Sequence, residues 1–194
     1  MFEKQLNAAA PWAKTAAFFA ALAVLMVLSP MQWTSGEGIP ITLQSLLVVL
    51  LPAILGWKSG TLAVVIYLIA GGFGAPVFAY GTFGWERFTG STGGFLLAFP
   101  LAAMLSGWAM EMRTRSTMLI PTLILFAGQL LILAMGLLWQ RAIVPIVESV
   151  MDTLLRLGPG LLIKTALGSL VLVLLSRLTA FFTNRTQQNH TAPE

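Results

Sequence analysis

The chain has 194 residues, of which 57% are hydrophobic and only 9% charged, against roughly 25% charged in an average soluble domain. Its mean hydropathy is +0.86, and a soluble fold of this length cannot hide that much apolar surface, so the composition sets aside soluble enzymes and nucleic-acid binders in favour of an integral membrane protein. The formal charge of +4, from 11 Lys+Arg against 7 Asp+Glu, is the kind of excess that sets topology in a membrane, and the absence of cysteine excludes disulfides, thiolate metal sites and cysteine nucleophiles.

A helical span needs about 20 apolar residues. Six segments meet or approach that length, at about 13–31, 41–56, 60–73, 93–110, 117–140 and 161–182. They predict an all-α integral membrane protein with six transmembrane helices. The whole of 1–194 reads as a single transmembrane domain ending in a polar tail, 184–194. The first segment has basic residues ahead of it. It lacks an A-x-A-like cleavage site near Leu28-Ser29-Pro30-Met31, so it is expected to stay as a span rather than leave as a signal peptide. Within it, Ala16 and Ala20 stand one helical turn apart, as do Ala17 and Ala21. Small residues at that spacing let another helix approach closely, either inside the bundle or from a partner.

The second and third segments are short and adjacent. Pro52 is expected to kink the second. Gln44 enters the membrane at its start and is expected to face the bundle, because lipid cannot satisfy an amide. Thr42 just before it can bond its own backbone.

The connection Gly71 to Gly94 is the richest in unusual residues. Its many glycines permit close backbone approach to a ligand. Phe73, Phe78, Tyr80, Phe83, Trp85 and Phe88 are interleaved with them, as flat apolar walls or as an interfacial belt. Arg87 is the base of this loop, suited to a carboxylate or to lipid headgroups. Glu148 and Asp152 fall in the amphipathic stretch 141–157 and read as solvated or capping residues. Lys164 lies early in the sixth segment, after Gly158-Pro159-Gly160. It either snorkels to water or presents a cation to an outward cavity.

Basic residues orient the chain. With the N-terminus inside, Lys4, Lys14, Lys58, Arg113, Arg115, Arg177 and Arg185 are cytoplasmic, and Arg87, Arg141 and Arg156 are outside. That distribution predicts N-in and C-in. The polar connections then open outward. The sequence has no phosphate-loop motif and no H-E-x-x-H. Its sole histidine, His190, stands in the polar tail. No metal site, cofactor or enzyme activity is expected.

Several strings occur in a telling order: Ile39-Pro40-Ile41-Thr42-Leu43-Gln44, Leu55-Gly56, Tyr67-Leu68, Pro76-Val77-Phe78-Ala79, Gly90-Ser91-Thr92-Gly93-Gly94-Phe95 and Phe99-Pro100-Leu101-Ala102-Ala103. This order, over about residues 39–103, resembles the BioY family, the biotin-binding substrate components of energy-coupling-factor (ECF) transporters. The resemblance implies an S-component bundle in the cytoplasmic membrane with a biotin pocket near its outer face. It also implies a membrane coupling subunit of the EcfT type and ATPase subunits as partners, although some family members are thought to act alone.

The resemblance further implies that Thr42, Gln44, Arg87 and Lys164 bind ligand, with Phe78 and Tyr80 as apolar walls. Gln44 and Thr42 would offer donors and acceptors to the ureido ring, and Arg87 or Lys164 a cation to the carboxylate. Ala16, Ala17, Ala20 and Ala21 would meet the coupling subunit. Ser91 stands where the family usually has proline, and Leu161 where it usually has aspartate. That second departure motivates an alternative, a substrate component for a different small carboxylate. A stand-alone secondary carrier is the other.

Overall fold

The computed structural model describes residues 11–34, 40–113, 119–143 and 150–190. Helix α1 covers Pro11–Leu28, and proline at its first position lacks only an N–H that would be unpaired there anyway. Ser29-Pro30 ends it, because the residue before proline is pushed out of the helical region. A short antiparallel hairpin follows, β1 (Gln32–Thr34) with β2 (Pro40–Thr42), in a register that sets Gln32 opposite Thr42. The sequence reading had only a connection here.

Helices α2 (Gln44–Leu55) and α3 (Trp57–Gly72) are joined by Gly56 alone, at φ +89, a conformation that suits a residue without a Cβ. Pro52 lies in the last turn of α2, where the helix is about to end. Its ring packs on Gly60 of α3, where a Cβ would come within 2.6 Å of Pro52 Cβ. Pro52 thus sits in a terminal turn wedged against a neighbour.

A 3-10 turn (Ala79–Gly81) and the one-turn helix α4 (Glu86–Thr89) lead into α5 (Gly93–Met112), α6 (Leu119–Ile143) and α7 (Val150–His190). Helices α5 and α6 form the most extensive pairing, and α2 and α3 both pack on α5. The core lies where these four meet, around Val48, Val49, Val64, Tyr67, Ala98, Ala102 and Leu125, all fully buried. Among the described residues, four helical stretches are long and apolar enough to cross a membrane: α1, α5, α6 and Leu157–Phe181 of α7. At 12 and 16 residues, α2 and α3 rise about 18 and 24 Å. The protein is a multi-pass helical membrane protein.

The helical stretch of α7 continues to His190, through most of the expected polar tail. Lys4, Ile39, Arg115, Glu148 and residues 191–194 lie outside the described residues. The four alanines of α1 divide between two faces. Ala21 is buried and Ala17 half-buried, whereas Ala16 and Ala20 are exposed.

Candidate functional site

Connection 73–92 folds back over one end of the bundle, and three anchors hold it there. The Gln44 side-chain N–H donates to Tyr67 Oη at 2.8 Å. The Tyr67 hydroxyl in turn donates to the Val77 carbonyl at 2.9 Å. A relay from α2 through α3 thus fixes the loop's first half. The Gly84 N–H donates to the Gly71 carbonyl at 2.8 Å, and Trp139 Nε1–H of α6 donates to the Gly90 carbonyl at 3.0 Å. Buried Phe78 sits edge-on to both Tyr67 and Phe88, with centroids 5.8 Å away in each case.

Beneath this loop lies a cavity of about 420 Å³, within the range of roughly 300–1,000 Å³ common for small-molecule sites. The structure brings Thr42, Gln44, Phe78, Tyr80, Arg87 and Lys164 together on its lining. Arg87 and Tyr80 are exposed at the surface end, while Gln44 and Phe78 are buried. Lys164 is half-buried and donates to Ser45 Oγ at 3.0 Å, which ties α7 to α2 and directs the ammonium inward rather than towards headgroups.

Tyr80 has φ +64 and ψ 22. Left-handed backbone is uncommon in a residue with a Cβ, and such strain clusters at ligand clamps. The Phe78 N–H to Thr82 carbonyl bond at 3.0 Å closes the turn that imposes it.

One expectation changes. Trp85 stands away from the lining. It lies over Gly72, edge-on to Phe73 with centroids 5.4 Å away and tilted against Phe88 at 5.2 Å. It braces the loop from behind instead of forming a wall. Gln44 has one N–H committed to Tyr67 and keeps its second N–H and its oxygen. Leu161 is buried on the lining and contributes no polar group. Gln129, Gln140, Ser45, Thr82 and Thr92 also line the cavity and were not singled out from the sequence. Gln129 carried a readable signal, since it is an amide in the middle of the apolar run LILFAGQLLILAMG.

A relative from Lactococcus lactis subsp. cremoris, named biotin transporter BioY2, is 39% identical over 120 residues, which are 61% of this chain and 64% of that one. The match thus spans slightly less than two thirds of that relative's length. A probable biotin transporter BioY from Bacillus subtilis is 34% identical over 160 residues, covering 81% of this chain and 86% of its own. The crystal structure of the S-component for biotin from an ECF-type ABC transporter superposes with a TM-score of 0.72 at 22% identity, over 87% of this chain and 95% of that one. The two share a fold. The model of the BioY family matches residues 3–181, nearly the whole sequence, and the chain belongs to the BioY family.

Proposed function

We propose that this chain captures biotin at the outer face of the cytoplasmic membrane as the substrate-binding component of an ECF-type ABC transporter. The observation that carries the reading is the cavity under connection 73–92, which presents two cations, amide and hydroxyl groups and aromatic walls together, in a chain of the BioY family. Biotin has three chemical parts, and the lining has a match for each. Phe78, Tyr80 and Phe95 give the thiophane ring and the valerate chain apolar surface. Thr42, Gln44 and Lys164 serve the ureido head with acceptors and donors. The carboxylate is charged and costs least where water remains, which favours the exposed guanidinium of Arg87 and its paired N–H donors.

The chain crosses the membrane six times with both termini inside, α2 and α3 crossing as a short pair. In that topology Lys58 and Arg113 are cytoplasmic and the cavity faces out. Energy comes from a membrane coupling subunit of the EcfT type and ATPase subunits. The exposed Ala16 and Ala20 face of α1 is where the coupling subunit packs, because small side chains permit close helix approach. Ala17 and Ala21 serve the bundle interior instead.

Calorimetric titration of the detergent-solubilised protein with biotin tests the substrate. Saturable tight binding is expected. No biotin binding, with another carboxylate vitamin bound instead, overturns the assignment. Single cysteines placed in this cysteine-free chain test the topology, and labelling of position 58 from outside intact cells would refute it.

A further inference from the structure

Among the described residues, three buried polar side-chain atoms lack a hydrogen-bond partner: Ser29 Oγ, Thr61 Oγ1 and Gln129 Nε2. The first two are helical or near-helical hydroxyls, which rotate freely and can return to a backbone carbonyl. Gln129 has no such escape. Its residue is only 4% exposed, it sits mid-helix in α6, and it lines the cavity. An unpaired amide N–H in a dry interior is costly, and a large aliphatic side chain would fill the same position without that cost.

Gln129 also lies at the deep end. Trp139 of α6 touches the covering loop at Gly90, and Gln140 lines the cavity beside that loop. Gln129 lies roughly 16 Å further along the helix from Gln140. The cavity floor is therefore marked by an unsatisfied carboxamide, and the mouth by exposed Arg87.

We infer that the Gln129 carboxamide forms a two-point pair with one edge of the ureido ring and so selects for a cyclic urea. The inference rests on the biotin reading given above. A carboxamide presents one N–H and one C=O side by side, and a cyclic urea presents the complementary C=O and N–H on each edge. Nε2 is enclosed in the ligand-free protein; a rotamer change turns it into the cavity, where its N–H donates to the ureido oxygen while Oε1 accepts from a ureido N–H. This pairing adds a two-point contact to the single donors and acceptors of Thr42, Gln44 and Lys164; Gln44 has one donor committed to Tyr67, and Leu161 is apolar. A polar head deep in the cavity and a carboxylate near water is also the cheaper way to place the ligand's charge.

The test compares wild type with Gln129→Met and Gln129→Glu by calorimetric titration with biotin and with 2-iminobiotin, whose head is a cyclic guanidinium at neutral pH. Gln129→Met is expected to weaken biotin about 10- to 100-fold. Its ligand-free melting temperature should be no lower than that of wild type, because it removes an orphaned amide. Gln129→Glu is expected to shift the biotin to 2-iminobiotin affinity ratio at least about tenfold towards the cation, by a bidentate carboxylate–guanidinium pair. Wild type that binds biotin tightly, with both ratios unchanged in the variants, overturns the role of Gln129 alone. A ligand-free Gln129→Met protein that melts well below wild type overturns it as well, since that marks a packing residue. Wild type that does not bind biotin overturns the transport reading, and this one with it.

Discussion

Replacing Tyr67 by phenylalanine should loosen the loop over the cavity without disturbing the core. Tyr67 is fully buried, and phenylalanine keeps the ring, including its edge-on contact with Phe78. What goes is one hydroxyl with two partners, the Gln44 side-chain N–H that it accepts and the Val77 carbonyl to which it donates. Both partners are then left buried without a bond. An orphaned buried group costs about 1–3 kcal/mol, and partial relaxation brings the pair to about 2–3 kcal/mol. For a domain of this size that lowers the melting temperature by roughly 4–12 °C.

The same relay holds Val77 and Phe78 over the ligand, so biotin should bind about tenfold more weakly and dissociate faster. The assay is thermal unfolding in detergent with and without biotin, beside a titration. Adding biotin to about 100 times its Kd should restore about 2.7 kcal/mol by mass action. A double-mutant cycle with Gln44→Leu should show positive coupling, because the two residues share one bond. A Tyr67→Phe protein with unchanged melting temperature and unchanged affinity would refute the relay as the loop's anchor.

Other substitutions address other parts of the molecule. Arg87→Ala should weaken biotin about 3- to 10-fold, and added salt should narrow the gap from wild type, since an exposed charge is screened; titrations at two salt concentrations check this. Lys164→Met should weaken biotin more than Arg87→Ala does, because Lys164 is half-buried and held by Ser45, and an equal effect in titration would contradict its inward placement. Gly60→Ala should destabilise the protein by about 1–3 kcal/mol, because its Cβ would press on Pro52, a loss read by thermal unfolding. Tyr80→Gly should relieve left-handed strain and leave the melting temperature near wild type while lowering biotin affinity in the same titration.

Much of the site was legible because a membrane restricts where polar groups go. Gln44 and Lys164 stand in apolar runs, and neither can face lipid cheaply. That constraint points Gln44 to the interior and leaves Lys164 a choice between snorkelling to water and facing a cavity. Gln129 obeys the same rule as Gln44. The aromatic residues of connection 73–92 were harder. A glycine-rich loop gives no period from which to tell inner from outer side, so Phe78 and Trp85 look alike in sequence yet turn opposite ways. The three-residue strands of the hairpin were too short to leave an alternating pattern. The contact between Pro52 and Gly60 was not legible, because it joins two elements whose packing no local pattern records.

The short helix α3 bears on the lipid around the protein. Its rise of about 24 Å falls short of a hydrocarbon core about 30 Å thick, yet it turns Leu62 and Ile69 outward. Helix α6 on another flank is 25 residues long, ample for a full crossing. If α3 crosses as the proposed topology has it, acyl chains compress beside α3 and relax beside α6. Such hydrophobic mismatch costs fractions of a kcal/mol per ångström. In the proposed six-span topology the bilayer would therefore be thinner on one side of the molecule than on the other.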